Sequence, residues 1–404
     1  MRIAFIDNLP VGGGLSRFSL KLCQSLINQF SDLQIDYYLH QGNLKQIPEI
    51  ETLDKRVVVK ILNSTKEKNK ILFFIHRVFN KLFKVKLINT KDIVEIEKLI
   101  DSKYDCAYFP CAHMMKMPNL AIPIVGTIHD FNWRYFFGVE IFDNKFTKFM
   151  DIEILQWLNN AYCISSSQDV VNEAKLMYPN ATKFPTVIPI AQVVIKENID
   201  ADNANNILKN LGIDFPYIVF PGHFYPHKNH LNLFTAFHLL KKNPAFRDFK
   251  LILTGVGTNK VEKALATNRG LRKIINNGET YDVIGLGYQA NEVLDAIIKN
   301  ATLLVSPSIY EAICTPAMDA WSFGTPTAIS DIPPFREHES AWGIKTAFFN
   351  PMDPQNMADV ISNCLLNYNE AKENGKISQQ KLAIYSWQKI ASEYMNVFLK
   401  AANK

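Results

Sequence analysis

The sequence predicts an α/β protein of two open, parallel-sheet domains, and three observations carry that expectation. Short apolar runs alternate with helical patterns along nearly the whole chain. Most of these runs are continuously apolar, as parallel strands covered on both faces require. The length, 404 residues, exceeds the size at which a single hydrophobic core stops growing.

In the first half the expected strands are 2–7, 34–39, 57–61, 107–109, 122–127, 162–165 and 186–190. In the second half they are 217–220, 250–254, 283–286, 303–306, 327–330 and 347–349. Helical stretches between them, such as 15–29, 231–241 and 290–299, supply the crossovers. A stretch crowded with Asn and Asp, 196–210, reads as a linker between a first domain at 1–195 and a second at 211–386. A long amphipathic helix begins at Trp387, and 387–404 are expected to pack back on the first domain. Ligands of open parallel sheets bind at the carboxyl ends of the strands, so a polar cleft is expected between two such domains.

Composition narrows the function classes. With 48% hydrophobic and 21% charged residues the chain is neither disordered nor fibrous. Its start runs straight into a strand, without the features of a signal peptide, and no stretch reaches the roughly 18–20 apolar residues that span a bilayer. A cytoplasmic protein is expected. The six cysteines are scattered, with no metal spacing, and read as buried thiols in a reducing compartment.

A net charge of +5 does not point to nucleic acid, and no nucleic-acid partner is expected. The charge is nevertheless uneven. Lys66, Lys68, Lys70, Arg77, Lys81, Lys84, Lys86 and Lys91 interleave with Phe73, Phe74, Phe79, Phe83 and aliphatic residues. Such a basic amphipathic helix, centred on 70–84, either lies on an anionic membrane through 66–91 or packs its apolar face on its own domain.

Four motifs carry chemistry. Gly12, Gly13 and Gly14 follow the first strand and open a helix, a geometry that lets backbone approach a phosphate. Their spacing is not that of a dinucleotide fingerprint, and no acidic residue ends the second strand, which argues against an oxidoreductase. His129, beside Asp130 at a strand end, is placed to donate a hydrogen bond to a hydroxyl or carbonyl. After the strand at 217–220 come Gly222, His223 and Lys228, a cation beside a glycine turn, suited to a pyrophosphate.

The fourth follows the strand at 303–306. Glu311 precedes a helix for which Thr315 and Pro316 read as N-cap and first residue, with Asp319 on its first turn. Amides of Ile313, Cys314 and Thr315 are then aimed at whatever lies over the helix N-terminus, which suits a diphosphate. Asp200 and Asp202 form the Asp-x-Asp of a metal-dependent transferase only in the polar linker, so no metal is expected.

These residues resemble the pattern of the glycogen-synthase-like retaining glycosyltransferases, family GT4, across nearly the whole chain. The likeness rests on Gly12–Gly14, His129-Asp130, Gly222 through Lys228, and Glu311-x7-Asp319 followed by Gly324-Thr325-Pro326. The run Tyr225-Pro226-His227-Lys228-Asn229-His230 is similar to bacterial O-antigen and capsule transferases, many of them mannosyltransferases. The resemblance implies the GT-B fold, two Rossmann-like domains facing across a cleft. It also implies transfer of a hexosyl group, with GDP-mannose the first donor to test, onto a glycan or lipid-linked glycan in surface polysaccharide synthesis. No cofactor is implied beyond the nucleotide sugar.

By that resemblance Lys228 neutralises the donor diphosphate and Glu311 holds the sugar's hydroxyls. Asp319 takes the ribose, His129 contacts the sugar, and Gly13 and Gly14 approach the phosphate. Base contacts fall at Gly285, Leu286 and Tyr288, largely through backbone. Retention would proceed by front-face departure of the diphosphate, so no protein nucleophile is required. The sequence departs from the family at His223, where the family has arginine, and at Asp319, where it has glutamate. A reading of another class, the same fold as a non-catalytic scaffold in a polysaccharide assembly complex, differs from the enzyme in predicting no nucleotide binding.

Overall fold

The computed structural model describes residues 1–8, 14–40, 42, 50–62, 90–135, 144–190, 201–261 and 282–403. The chain divides into two units, Met1–Ile190 with Ser386–Lys404, and Ala191–Tyr385. Gly12, Gly13, Asp200 and the basic stretch at 66–89 lie outside the described residues.

The first unit runs β1 (Arg2–Asp7), α1 (Gly14–Gln29), β2 (Gln34–His40), β3 (Val57–Leu62), α2 (Thr90–Leu99), β4 (Cys106–Phe109) and β5 (Ile124–Thr127). It continues with α3 (Asn132–Tyr135), α4 (Asn144–Asn160), β6 (Tyr162–Ser165), α5 (Gln168–Met177) and β7 (Thr186–Val187). Its sheet has the order β3-β2-β1-β4-β5-β6-β7, and every pairing is parallel. Aromatic residues fill the centre. Phe5 stacks on Tyr37 at 4.7 Å and meets the edge of Tyr108 at 4.9 Å.

The helix Trp387–Ala402 closes this core. Tyr394 and Phe398 pack on Tyr108, and Trp387 and Tyr394 on Phe18 of α1. Ser386 caps the helix by accepting the Lys389 N–H. Two strands are shorter than the apolar pattern suggests, and prolines explain both. β5 begins after Pro123, and β7 ends before Pro189, since neither proline has an N–H to give the ladder.

The second unit runs α6 (Ala201–Asn210), β8 (Tyr217–Pro221), α7 (His230–Lys241), β9 (Lys250–Thr254), β10 (Val283–Gly285), α8 (Asn291–Lys299) and β11 (Leu303–Ser306). Then follow α9 (Thr315–Phe323), β12 (Thr327–Ser330), α10 (Pro333–Trp342), β13 (Ala347–Phe349), α11 (Pro354–Leu366) and α12 (Tyr368–Leu382). The sheet order is β10-β9-β8-β11-β12-β13, again with only parallel pairs. Its core packs Phe220, Phe234, Phe237, Leu251, Leu253, Val305 and Phe349 with Met357 and Ile361 of α11.

The polar stretch 196–210 is not simply a linker. Its last ten residues form α6, which belongs to the second unit and sets Ala204 and Ile207 against Ala296 of α8. Polar side chains cover the rest of this helix, so its narrow apolar face was hidden by their number. No helix among the described residues is long and apolar enough to cross a membrane.

In each sheet the strand order reverses once. In the first unit the reversal falls between β1 and β4, in the second between β8 and β11. Loops leaving the carboxyl ends of such a pair diverge to opposite faces and leave a crevice, the preferred ligand position of this architecture. The loops that hold Lys228 and Glu311 leave β8 and β11.

Candidate functional site

The loop after β8 is built by close backbone approach. Gly222 donates its N–H to Thr254 O at 2.8 Å and Phe224 donates to Val256 O at 3.0 Å, so β8 and β9 stay joined beyond their ends. A Cβ on Gly255, whose φ is +122°, would lie 2.7 Å from the carbonyl of Gly222. His230, buried at the start of α7, hydrogen-bonds the Gly222 carbonyl, and burial with the nearby Lys228 charge pushes its pKa down to about 3.

His223 accepts the Val256 N–H at Nδ1, 2.9 Å away. Burial and then the Lys228 charge hold its pKa below the usual imidazole value. A neutral ring accepting at Nδ1 carries its proton at Nε2, so His223 offers one directed donor and no permanent charge.

Residues Pro226–Lys228 form a 3-10 turn, ended by Asn229 in the left-handed conformation at φ 57°, ψ 35°. The Asn229 side chain donates to Pro307 O at 2.9 Å and to Pro351 O at 2.7 Å. The Ile309 N–H donates to His227 O at 2.9 Å. These contacts fasten the loop after β8 to the loop after β11. Across that seam the Lys228 ammonium pairs with the Glu311 carboxylate, their side chains 17% and 16% exposed. Lys228 and Glu311 are therefore brought together at the switch point of the sheet, although 83 residues separate them.

Beyond Glu311 the chain enters α9. The cap position is held by Cys314, one residue earlier than the sequence suggests, and no side chain caps the helix. Thr315 and Pro316 are thus its first two residues; Pro316 has no N–H and the Ala317 N–H reaches the Cys314 thiol, so the donors here are the amides of Cys314 and Thr315. Ile313 and Cys314 are buried, and burial pushes the Cys314 thiol up to about 12, which makes it an inert packing group. The shifted start puts Asp319 just past the first turn. It is 1% exposed.

At the other side of the switch, Gly285 and Leu286 are closely engaged. A Cβ on Gly285 would fall 1.9 Å from Thr258 O. Leu286 N–H donates to Leu253 O at 2.9 Å and Gly287 N–H to Thr258 Oγ1 at 3.0 Å. These amides hold the loop together, so the backbone recognition of a base expected here does not extend to them. Tyr288 stands 59% exposed beside them.

In the first unit, His129 lies two residues beyond β5. Its Nε2 is 2.8 Å from Pro110 O, which fixes the proton there, and its backbone N–H donates to His113 Nδ1 at 3.3 Å. His129 is 6% exposed; burial, then the neighbouring His113, push its pKa down to about 4. The structure corrects the expectation that His129 donates a hydrogen bond to ligand. Its N–H already serves Pro110, and Nδ1 is left as an acceptor. His113, itself buried at a pKa of about 4, was not singled out from the sequence, because nothing local marks it as the partner of His129. Gly14 opens α1. Among the described residues no group of three or more His, Cys, Asp or Glu is arranged to hold a metal ion.

Two all-parallel sheets of seven and six strands, each helix-flanked, define the GT-B fold. A solved Anabaena protein, HepE in complex with UDP and glucose, superimposes with a TM-score of 0.69 at 14% identity, covering 99% of this chain and 100% of that one. Sucrose-phosphate synthase from Thermosynechococcus elongatus gives 0.69 at 16% identity, covering 99% and 98%. WaaG, a glycosyltransferase involved in lipopolysaccharide biosynthesis, gives 0.66 at 12%, covering 98% and 99%.

Residues 204–381 match the family described as glycosyl transferases group 1. That match lies within the second unit, and the likeness to the solved structures is one of fold. The chain is also 25% identical over 166 residues to an MMP alpha-(1->4)-mannosyltransferase of Mycolicibacterium hassiacum, a match spanning 41% of this chain and 38% of that relative. It is 28% identical over 131 residues to an uncharacterized glycosyltransferase of Methanocaldococcus jannaschii, spanning 30% and 31%.

Proposed function

We propose that the chain is a retaining glycosyltransferase that moves a hexosyl group from a nucleoside-diphosphate sugar to a glycan or lipid-linked glycan. The observation that carries this reading is the Lys228–Glu311 pair at the β8/β11 switch point, beside the uncapped N-terminus of α9. A diphosphate placed there meets the Lys228 ammonium, the Nε2–H of His223 and the amides of Cys314 and Thr315. These donors stabilise charge on the leaving group, which is the largest demand of the reaction. Glu311 accepts hydroxyl hydrogen bonds from the sugar. The anomeric carbon's bond to the diphosphate oxygen breaks, the acceptor oxygen bonds on the same face, and the departing diphosphate takes the acceptor's proton. The second unit carries the donor and the first meets the acceptor.

Support for the sugar and base comes from relatives and is divided between them: a mannosyltransferase by sequence, and UDP with glucose in the Anabaena neighbour. The likeness to WaaG, a glycosyltransferase involved in lipopolysaccharide biosynthesis, is the support for a role in surface polysaccharide synthesis. Isothermal titration with GDP, UDP, ADP and their hexose conjugates tests the reading. One nucleotide series binds, and Lys228→Ala weakens it on the order of 100-fold, as the loss of a charge-assisted phosphate contact implies. A folded protein that binds none of them overturns the enzyme and favours a scaffold.

A further inference from the structure

We propose that the Lys228–Glu311 ion pair makes the site discriminate between an intact nucleotide sugar and the bare nucleoside diphosphate, with Glu311 holding Lys228 in reserve against the latter. The inference rests on the reading of this site as a nucleotide-sugar site, and it concerns how the pair responds to occupancy.

The geometry fixes the competitors. Asn229 to Pro307 and Ile309 to His227 lock the two loops together, so Lys228 and Glu311 cannot part by loop movement. Only their side chains can rearrange. Both are mostly withdrawn from water, where an ion pair is screened less than on an open surface. No other permanent cation enters from this loop: burial and then the Lys228 charge hold the His223 pKa down, and its Nδ1 accepts the Val256 N–H. The positive charge this loop offers a diphosphate is therefore the charge that Glu311 already engages.

An ammonium has three donors, so Lys228 can turn one of them to phosphate while keeping Glu311. That leaves the Glu311 carboxylate within a few ångströms of a phosphate, a like-charge contact that weakens binding by about tenfold or more between water and a protein surface. What offsets this contact differs between the two ligands. A hexose on the terminal phosphate brings hydroxyls that donate to Glu311 and caps one phosphate charge. A bare nucleoside diphosphate brings no such donor and carries one charge more. Glu311 thus penalises the product more than the donor, which speeds departure of the nucleoside diphosphate after transfer.

The test is titration of wild type, Glu311→Gln and Glu311→Ala with UDP and UDP-glucose and with GDP and GDP-mannose, each protein shown to be folded by circular dichroism. Both variants should bind the nucleoside diphosphate of the recognised base about tenfold more tightly than wild type, the low end of the like-charge range. The nucleotide sugar should gain less than threefold with Glu311→Gln and lose affinity with Glu311→Ala. Where a variant does not fold, wild type still decides: it must bind the sugar conjugate at least as tightly as the bare diphosphate. Unchanged or weaker diphosphate binding by Glu311→Gln, in a protein whose binding Lys228→Ala weakens, overturns this inference alone. Binding of no nucleotide by folded wild type overturns it together with the proposed function.

Discussion

Asn229 is the residue whose replacement best tests how the Lys228 loop is held. It occupies a left-handed conformation, the only one among described non-glycine residues, and its side-chain amide donates to two carbonyls, Pro307 and Pro351. Asn229→Gly removes both hydrogen bonds and tolerates the backbone angle. Asn229→Ala removes both and adds the left-handed penalty, about 1 kcal/mol. Each neutral hydrogen bond contributes about 0.5–1.5 kcal/mol. The Pro351 carbonyl keeps a donor in Asn232 at 3.0 Å, whereas Pro307 O has none other among the described bonds. The glycine variant should therefore lose about 2 kcal/mol and the alanine variant about 3 kcal/mol.

For a unit of this size that is a fall in melting temperature of roughly 4–8 °C for glycine and 6–12 °C for alanine. Thermal melts followed by circular dichroism read the difference directly. Nucleotide titration of the same two proteins then shows whether Lys228 keeps its aim. A glycine variant that melts within 1 °C of wild type and binds unchanged would refute the fastening role of Asn229.

Two further predictions concern packing and pH. Gly285→Ala puts a methyl 1.9 Å from Thr258 O and 2.9 Å from Val261 Cγ1, so it should destabilise by about 1–3 kcal/mol or more in urea unfolding; unchanged stability would show that the turn at Thr258–Lys260 yields. His338 is buried and stacked on Trp342 at 4.3 Å and 2°, with its pKa pushed down to about 3 by burial. Its folded form takes up fewer protons than the unfolded chain below pH 6.5. Stability is therefore complete above that pH and is lost as pH falls toward 3. At pH 5.5 the loss is about 1.4 kcal/mol. His338→Phe keeps the stack and should reduce the drop in unfolding free energy between pH 7.5 and 5.5 by that amount; an identical drop would remove His338 from the account.

The strands were legible because most are buried on both faces and carry short unbroken apolar runs, as in Ile3–Ile6 and Leu303–Val305. Their ends were less so, since Pro123 and Pro189 act through a missing N–H, which hydrophobicity does not register. Helix α6 escaped because Ala204, Ile207 and Leu208 sit among asparagines, and an apolar face of three residues is weak without its partner Ala296. At the site, residue types and spacing pointed to Lys228 and Glu311 separately. Their pairing depends on which strands become neighbours, a fact of topology. His129 shows the same limit from the other side: a strand-end histidine can be read from sequence, but the carbonyl of Pro110 that accepts its N–H cannot.

The C-terminal helix has a consequence for the order in which the molecule can be made. The first unit lacks its closing layer over Phe18 and Tyr108 until Trp387, Tyr394 and Phe398 exist. All of Ala191–Tyr385 must leave the ribosome before that. The second unit is contiguous and can complete its core while the first still exposes a strip of aromatic rings. The domain begun first is thus the domain finished last, and its open seam is where nascent-chain binding by chaperones should concentrate. Truncation before Ser386 should leave that seam permanently uncovered while sparing the second unit.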